Sequence, residues 1–310
     1  MLTQIKGLHH VTSLASHAQP NNAFFTRTLG LRRVKKTVNF DAPDVYHLYY
    51  GDGAGTPGSV MTYFPFPRAA RGRPGSGEVS TTAFSVPKGS LDAWEVRLIQ
   101  HGTKAMARDI RFGQARLLFD GPDGDRFALI EGHNPGAALW TGNGVSADMA
   151  ISGFHSAALR LEDAAATAEL LGFMGYEVAD KRGDVTRFRM PDGNGADLVD
   201  IEAIPGATPA RQGAGSIHHL AFAVENRAAQ LSVRQALTDA GASVTPVIDR
   251  NYFWSIYFRT PGGVLFEVAT NEPGFDHDED TAHLGMALKL PHQHEHLRAK
   301  LERSLEALAD

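Results

Sequence analysis

The chain has 310 residues, of which 43 % are hydrophobic and 21 % charged, as in a globular protein with a sizeable core, and this length favours two domains. Its formal net charge is −5 and it contains no cysteine, which argues against a nucleic-acid partner, a disulfide framework and thiolate chemistry. The sequence lacks a signal-peptide core and an apolar run of about 20 residues, so we expect a cytoplasmic protein with no membrane partner.

One unit recurs four times along the chain. It consists of a short strand, an amphipathic helix that ends at a glycine suited to a left-handed C-cap, and three further strands. The glycines that end the four helices are Gly30, Gly102, Gly175 and Gly241. Pro-Gly and Pro-Asp-Gly turns precede the last strands of the units. We therefore predict four βαβββ units, at residues 7–65, 79–132, 152–204 and 216–270.

The stretches outside the units suggest a division of the chain. Residues 133–144 are rich in glycine and read as an inter-domain connection. We expect an N-terminal pair of units within residues 1–140, a C-terminal pair within 141–275, and a tail over 276–310. In the tail, Leu297, Leu301, Leu305 and Leu308 recur at helical spacing, which predicts a terminal amphipathic helix.

Three short stretches contain the candidate metal ligands. They are residues 7–12 (GLHHVT), 216–222 (SIHHLAF) and 262–268 (GGVLFEV), each with the pattern of a short strand. Because side chains alternate along a strand, His219 lies on the small-residue face with Ala221 and Ala223, while the large apolar residues face a helix. The same rule turns His10 and Thr12 inward. Two imidazoles and one carboxylate would form the open site typical of non-haem Fe(II) oxygen chemistry.

The four-fold repeat is shared with a known family. So are the short stretches at residues 7–12, 45–52 (VYHLYYGD) and 55–65 (GTPGSVMTYFP). The chain resembles the vicinal oxygen chelate superfamily, which includes glyoxalase I, bleomycin-resistance proteins and extradiol dioxygenases. Within it, the chain is similar to the ring-cleaving branch that includes hydroquinone dioxygenases. The resemblance implies an α+β fold in which four βαβββ modules form two open barrels of mixed β-sheet with flanking helices, plus a C-terminal helix.

The resemblance also implies the site. The metal triad falls on His10, His219 and Glu267, and further functional groups fall on His9, Thr12, His218, Arg250 and Tyr257. Ser80, Thr81, Ser156 and Ala128 stand where the other units would carry ligands, so a single metal site is expected. The implied cofactor is Fe(II), with Mn(II) as the alternative ion. The implied partners are a small aromatic substrate and O2, and we expect a homo-oligomer.

Strand alternation and the resemblance disagree about two histidines. Regular alternation turns His9 and His218 away from the metal, whereas the resemblance places them near it. His218 and Tyr257 are candidate proton donors or hydrogen-bond partners of the substrate, and Arg250 could hold an anionic oxygen. The aromatic run at residues 252–254 suits a flat ring pocket or plain core.

Two other functions occur among proteins of this fold, and the residues argue against both. A glyoxalase-type metal-dependent lyase or isomerase usually uses a fourth protein ligand, but no carboxylate stands around Met61, Thr62 and Tyr63. A non-enzymatic small-aromatic binding or resistance protein of this fold would lack the triad. The histidines of residues 292–296 are interpreted as one polar face of the tail rather than as metal ligands.

Overall fold

The computed structural model describes residues 1–132 and 138–309. Residues 133–137 of the predicted inter-domain connection lie outside the described residues. The four βαβββ units are confirmed, with bounds within a few residues of those expected. All four glycines that end the unit helices have a positive φ, between 68° and 98°, as a left-handed helix cap requires.

The strands and helices follow the unit order. The first unit contains β1 (Ile5–Ala15), α1 (Ala18–Ala23) with a π-helical turn (Phe24–Thr28), β2 (Arg32–Val38), β3 (Tyr46–Gly51) and β4 (Val60–Pro65). The second contains β5 (Glu78–Val86), α2 (Leu91–Gln100), β6 (Lys104–Arg111), β7 (Gln114–Asp120) and β8 (Arg126–Glu131). The third contains β9 (Phe154–Leu161), α3 (Ala165–Phe173), β10 (Glu177–Arg182), β11 (Val185–Arg189) and β12 (Leu198–Ala203). The fourth contains β13 (Ile217–Val224), α4 (Arg227–Asp239), β14 (Ile248–Asp249), β15 (Phe253–Arg259) and β16 (Leu265–Pro273).

The units pair in an order that differs from their order along the chain. One eight-stranded sheet has the order β14-β15-β16-β13-β1-β4-β3-β2, and the other has the order β10-β11-β12-β9-β5-β8-β7-β6. Antiparallel pairing of β1 with β13 joins the first unit to the fourth, and pairing of β5 with β9 joins the second to the third. Each hydrogen-bonded sheet combines one unit from before residue 140 with one unit from after it. The predicted division at that residue therefore concerns the order of the units along the chain, and it remains a prediction. We call the two sheets the first and second half-barrels.

The apolar faces of the strands pack under the helices, as alternation predicts. In β13, Leu220 and Phe222 are fully buried in the main core. Over this face lies α4, which starts where the Asn226 side chain accepts a hydrogen bond from the backbone of Ala229. Its buried Gln230 donates to backbone oxygens of β15 and β16. Packing on one face leaves the other face of β13 to line the interior of the first half-barrel.

The tail wraps around the first half-barrel. It contains 3-10 turns at Phe275–His277, Thr281–His283 and His292–Leu297, then α5 (Arg298–Ser304). The terminal helix is therefore shorter than the leucine spacing predicted, although Leu301 is buried as expected. Fully buried Lys35 on β2 anchors the tail through Asp278 at 2.7 Å and Glu279 at 2.5 Å. None of the helices in the described part of the chain could cross a membrane.

Candidate metal centre

Three side chains from three adjacent strands meet inside the first half-barrel. His10 comes from β1, His219 from β13 and Glu267 from β16, and all three are buried. The Nε2 atoms of the two histidines are 3.2 Å apart, and Glu267 Oε2 lies 3.3 Å from His10 Nε2 and 2.8 Å from His219 Nε2. Within residues 1–132 and 138–309 this is the one group of three such side chains able to hold a metal ion.

The spacing of these atoms fits a metal ion. Bonds of about 2.0–2.2 Å at right angles would separate neighbouring ligand atoms by about 2.8–3.1 Å. The three observed separations, 2.8, 3.2 and 3.3 Å, are close to that range. Glu267 Oε2 is buried and makes no hydrogen bond of acceptable geometry to any described residue. An unsatisfied carboxylate oxygen facing two imidazoles is the arrangement that a cation would complete.

His9 fixes the tautomer of the first ligand. Its Nε2 lies 3.1 Å from the carbonyl oxygen of Thr270, which can only accept, so this nitrogen carries a proton. Burial, and then the neighbouring His10, lower the pKa of His9 to about 3, so the ring is neutral and its Nδ1 is an acceptor. His10 Nδ1, 2.9 Å away, must therefore donate to it. Of the two ring nitrogens of His10, Nε2 is thereby the one that offers a lone pair to the triad.

His218 stands in the same relation to the second ligand. Its Nδ1 lies 2.8 Å from His219 Nδ1, and burial followed by His219 lowers the pKa of His218 to about 4. By analogy with the first pair, His219 donates from Nδ1 and keeps its Nε2 lone pair for the triad. His218 then carries its proton on Nε2. It lines the cavity described below, so this proton is available to a ligand.

Two β-bulges explain why both histidines of each pair reach the site. The register between β1 and β13 runs from Leu8↔Phe222 to His10↔Ala221, so His9 is an extra residue on β1. It then runs from Thr12↔His219 to Ser13↔Ile217, which makes His218 the extra residue on β13. A bulge breaks the alternation of side chains and re-aims the inserted one. The disagreement over His9 and His218 thus disappears, because regular alternation does not hold at either residue.

Ser255 contributes to the site and was not anticipated from the sequence. Its hydroxyl donates a short hydrogen bond to Glu267 Oε1, which orients the carboxylate and leaves Oε2 for the triad. Burial alone would raise the pKa of Glu267, but His10 and His219 outweigh it and hold this pKa well below its usual range. The one available sequence signal was that Ser255 precedes Tyr257 by two residues on the same strand, and so shares its face.

A cavity of about 200 Å³ opens beside the triad. Its apolar lining includes Phe40, Phe64, Phe66 and Phe253. Of the aromatic run at 252–254, Phe253 lies against the His10 ring with centroids 5.0 Å apart, whereas Tyr252 packs against Phe275 in the core. Within this run, Phe253 therefore lines the pocket, whereas Tyr252 belongs to the core. Flat apolar walls around a few polar groups suit a small aromatic ring.

Arg250 and Tyr257 form the polar side of this cavity. Arg250 Nε donates to the Tyr257 hydroxyl at 3.2 Å, and the guanidinium also lies 3.8 Å from Asp41 and 5.5 Å from the centre of the Phe40 ring. Burial, and then the charge of Glu267, raise the pKa of Tyr257 well above its usual value, so its hydroxyl stays protonated. Since this oxygen accepts from Arg250, its own proton is free to donate into the cavity.

Thr12 lies beside the triad and begins a line of buried hydrogen bonds. Its hydroxyl is 2.8 Å from that of Thr62 on β4, which is 2.9 Å from His47 Nε2 on β3. His47 Nδ1 is in turn 2.8 Å from the Tyr49 hydroxyl. The structure thus brings all eight residues named from the sequence to one place, and it adds Ser255, Thr62, His47 and Tyr49.

The second half-barrel carries an ion pair where the first has its triad. By strand register, Asp200 corresponds to Glu267, Ser156 to His219 and Thr81 to His10. Asp200 was missed in the sequence. Its carboxylate accepts hydrogen bonds of 2.7 and 2.9 Å from Arg187, so a guanidinium neutralises it. Two hydroxyls and an occupied carboxylate cannot form a second site of the same kind.

Comparison with known proteins agrees with this architecture. Residues 169–268 match the model of the Glyoxalase/Bleomycin resistance protein/Dioxygenase superfamily. MhqO of Bacillus subtilis (strain 168), whose name assigns it to the ring-cleaving dioxygenases, is 40 % identical over 98 % of this chain and 97 % of its own. The chlorohydroquinone/hydroquinone 1,2-dioxygenase of Sphingobium indicum is 35 % identical over 97 % of this chain and 96 % of its own.

Solved structures give the same answer for the fold. A crystal structure of a protein from Bacillus subtilis subsp. subtilis str. 168, described as a dioxygenase, superposes with a TM-score of 0.95 at 40 % identity. That match covers 99 % of this chain and 98 % of the other. Glyoxalase I from Zea mays superposes with a TM-score of 0.65 at 13 % identity, covering 86 % of this chain and 92 % of the other. The second likeness concerns the fold alone.

Proposed function

The chain belongs to the ring-cleaving dioxygenases of the glyoxalase/bleomycin resistance protein/dioxygenase superfamily, which are oxidoreductases, and on that basis we propose that it uses Fe(II) and O2 to open the aromatic ring of a hydroquinone- or catechol-type substrate. One observation carries the proposal. Three donor atoms, from His10, His219 and Glu267, converge beside a cavity with flat aromatic walls. Mn(II) is the alternative ion for the same donor set.

The metal and the protein have separate tasks. Fe(II) held by His10, His219 and Glu267 would keep coordination positions open for a phenolate and O2, and would pass electron density between them. The protein holds the two imidazoles in the required tautomer through His9 and His218, and it aims the carboxylate through Ser255. These outer contacts fix the ligands before the metal binds.

The cavity orients the substrate ring. Phe40, Phe64 and Phe253 offer apolar faces to the ring, and about 200 Å³ suits a monocyclic substrate with small substituents. His218 can donate a hydrogen bond from Nε2 to a ring oxygen, and Tyr257 can donate its own proton to another. Both groups are uncharged at neutral pH, because burial lowers the pKa of the imidazole and raises that of the phenol.

Arg250 supplies the cationic group of the cavity wall. Its guanidinium donates to Tyr257, which makes that hydroxyl a better hydrogen-bond donor to an anionic oxygen. Proton delivery to an oxygen that gains negative charge during the reaction is the role proposed for the Arg250–Tyr257 pair.

The geometry gives little support to a lyase or isomerase of the glyoxalase type. Such chemistry would need a fourth protein ligand from β4, whose sequence contains no Asp or Glu. Thr62, the residue of β4 opposite Thr12, is engaged with Thr12 and His47. The presence of three converging donor atoms argues in turn against a metal-free binding protein.

Oxygen uptake tests the proposal. The purified protein is loaded with Fe(II) under anaerobic conditions and mixed with aerated buffer and a panel of hydroquinones and catechols. We expect oxygen consumption with at least one monocyclic substrate and loss of its aromatic absorbance, and neither with metal-free protein. Isomerisation of a methylglyoxal–thiol adduct without oxygen uptake on any phenol would favour the glyoxalase-type reaction.

We also expect a cytoplasmic homo-oligomer. Analytical ultracentrifugation can check the oligomeric state, and cell fractionation can check the location.

A further inference from the structure

Two buried residues in the wall of the first half-barrel have no part in the roles assigned above. They are His47 and Tyr49, which lie two residues apart on β3 and face the interior. Their rings pack with centroids 4.0 Å apart, and the Tyr49 hydroxyl is 2.8 Å from His47 Nδ1. Through Thr62 they reach the Thr12 hydroxyl, so four groups are joined in one line that ends beside the triad.

The protonation of this line can run in only two directions. Burial, followed by the charges of nearby histidines, lowers the pKa of His47 well below its usual value, and burial raises the pKa of Tyr49 well above its own. The imidazole therefore has one N–H and the phenol keeps its proton. Either Tyr49 donates to Nδ1 and each following group donates towards Thr12, or each group donates the opposite way, towards Tyr49.

The surroundings of the two ends favour the first direction. If the line ran towards Tyr49, the phenolic proton would be left over in a fully buried place, where no other described residue offers it an acceptor. An unsatisfied buried donor of this kind is costly. If the line runs towards Thr12, the leftover proton is on the Thr12 hydroxyl, which is also fully buried. Thr12 pairs with His219 across the strands and lies two residues from His10, so this proton is beside the triad, where an oxygen atom of a bound ligand would accept it.

We propose that His47 and Tyr49 are positioning residues: their hydrogen bonds orient the Thr12 hydroxyl so that it donates its proton to an oxygen atom of the ligand bound next to His10 and His219. The inference rests on the proposed function for the identity of that ligand, a phenolic substrate. His47 also lines the cavity, but the proposed effect passes through Thr12 and does not require Tyr49 to touch the substrate.

The tautomer of His47 tests the direction without any measurement of activity. Zn(II)-loaded protein, full-length and labelled with ¹⁵N in histidine, is examined by NMR, in which protonated and unprotonated ring nitrogens have distinct shifts. Signals that disappear in His47→Gln identify the residue. We expect the proton on Nε2 and none on Nδ1. A proton on Nδ1 would overturn the proposal, whatever the substrate of the protein is.

Binding of 1,4-hydroquinone to the Zn(II)-loaded protein tests the consequence, because no redox turnover occurs. Tyr49→Phe should weaken binding by roughly two- to tenfold, the effect of one misdirected hydrogen bond. Tyr50→Phe is the matched control: it also removes one buried hydroxyl, which donates to Asn21 at 3.1 Å on the other face of β3, and should leave binding unchanged. In a Thr12→Val background, Tyr49→Phe should have no further effect.

The outcomes separate the two proposals. Equal weakening by Tyr49→Phe and Tyr50→Phe, or an undiminished effect of Tyr49→Phe in Thr12→Val, would show a merely structural role and overturn the positioning by Tyr49. Failure of the unaltered protein to bind any hydroquinone or catechol would instead count against the proposed function. The tautomer of His47 would still decide the direction of the line.

Discussion

The ion pair of the second half-barrel gives the sharpest energetic prediction. Arg187 and Asp200 are 7 % and 2 % exposed, and two hydrogen bonds of 2.7 and 2.9 Å join them. Arg187→Met leaves the Asp200 carboxylate buried, with Arg111 at 3.8 Å as its remaining cationic neighbour. Breaking one side of a buried pair costs roughly 3–5 kcal/mol, so we expect the free energy of unfolding to fall by about that amount.

Urea denaturation at pH 7 measures this loss. The double variant Arg187→Met/Asp200→Leu removes both charges and should recover stability to within about 1 kcal/mol of the unaltered protein. Arg182→Met is the control, since its contact with Asp180 joins side chains that are 64 % and 39 % exposed and should contribute less than about 1 kcal/mol. A loss below about 1 kcal/mol for Arg187→Met alone would refute the reasoning that a guanidinium substitutes for the metal in this half-barrel.

Three further changes have defined outcomes. Lys35→Met removes the buried cation that pairs with Asp278 and Glu279, so it should destabilise the protein by roughly 3–5 kcal/mol. The tail should then become sensitive to limited proteolysis by chymotrypsin, and unchanged proteolysis would contradict this. Burial raises the pKa of Asp125 to about 6, so ionisation of this carboxyl favours the unfolded chain as the pH rises. Between pH 4 and 7 the unaltered protein should therefore lose roughly 2 kcal/mol of stability relative to Asp125→Asn in urea denaturation, and parallel pH profiles would refute the assignment. Arg250→Gln should lower kcat/KM for the oxygen-consuming reaction about 10- to 100-fold by removing a charge-assisted hydrogen bond, and an unchanged kcat/KM would exclude its proposed role.

The repeat and the candidate ligands could be read from the sequence because both depend on local patterns. A glycine at each helix end and alternation along each strand locate the units, and they turn His10 and His219 towards the interior. The bounds of the units agree with the structure to within a few residues.

Features that depend on contacts between distant strands could not be obtained in this way. The bulges that re-aim His9 and His218 arise from the register between β1 and β13, strands that lie about 200 residues apart in sequence. The correspondence of Asp200 with Glu267, and its neutralisation by Arg187, likewise appear only when the strands are paired. The terminal helix ends at Ser304, earlier than the leucine spacing suggests, although Leu301 and Leu305 both pack in the apolar cluster that contains Val38 of the first half-barrel.

Metal stoichiometry tests the central claim most directly. After anaerobic loading with Fe(II) and removal of free metal, the iron content per chain is measured for the unaltered protein, Glu267→Gln and His294→Ala. The convergence of His10, His219 and Glu267 predicts one iron per chain, a sharp loss in Glu267→Gln and no change in His294→Ala, whose imidazole instead contacts the backbone of Phe40. Equal iron content in the two variants would contradict the assignment of the metal site.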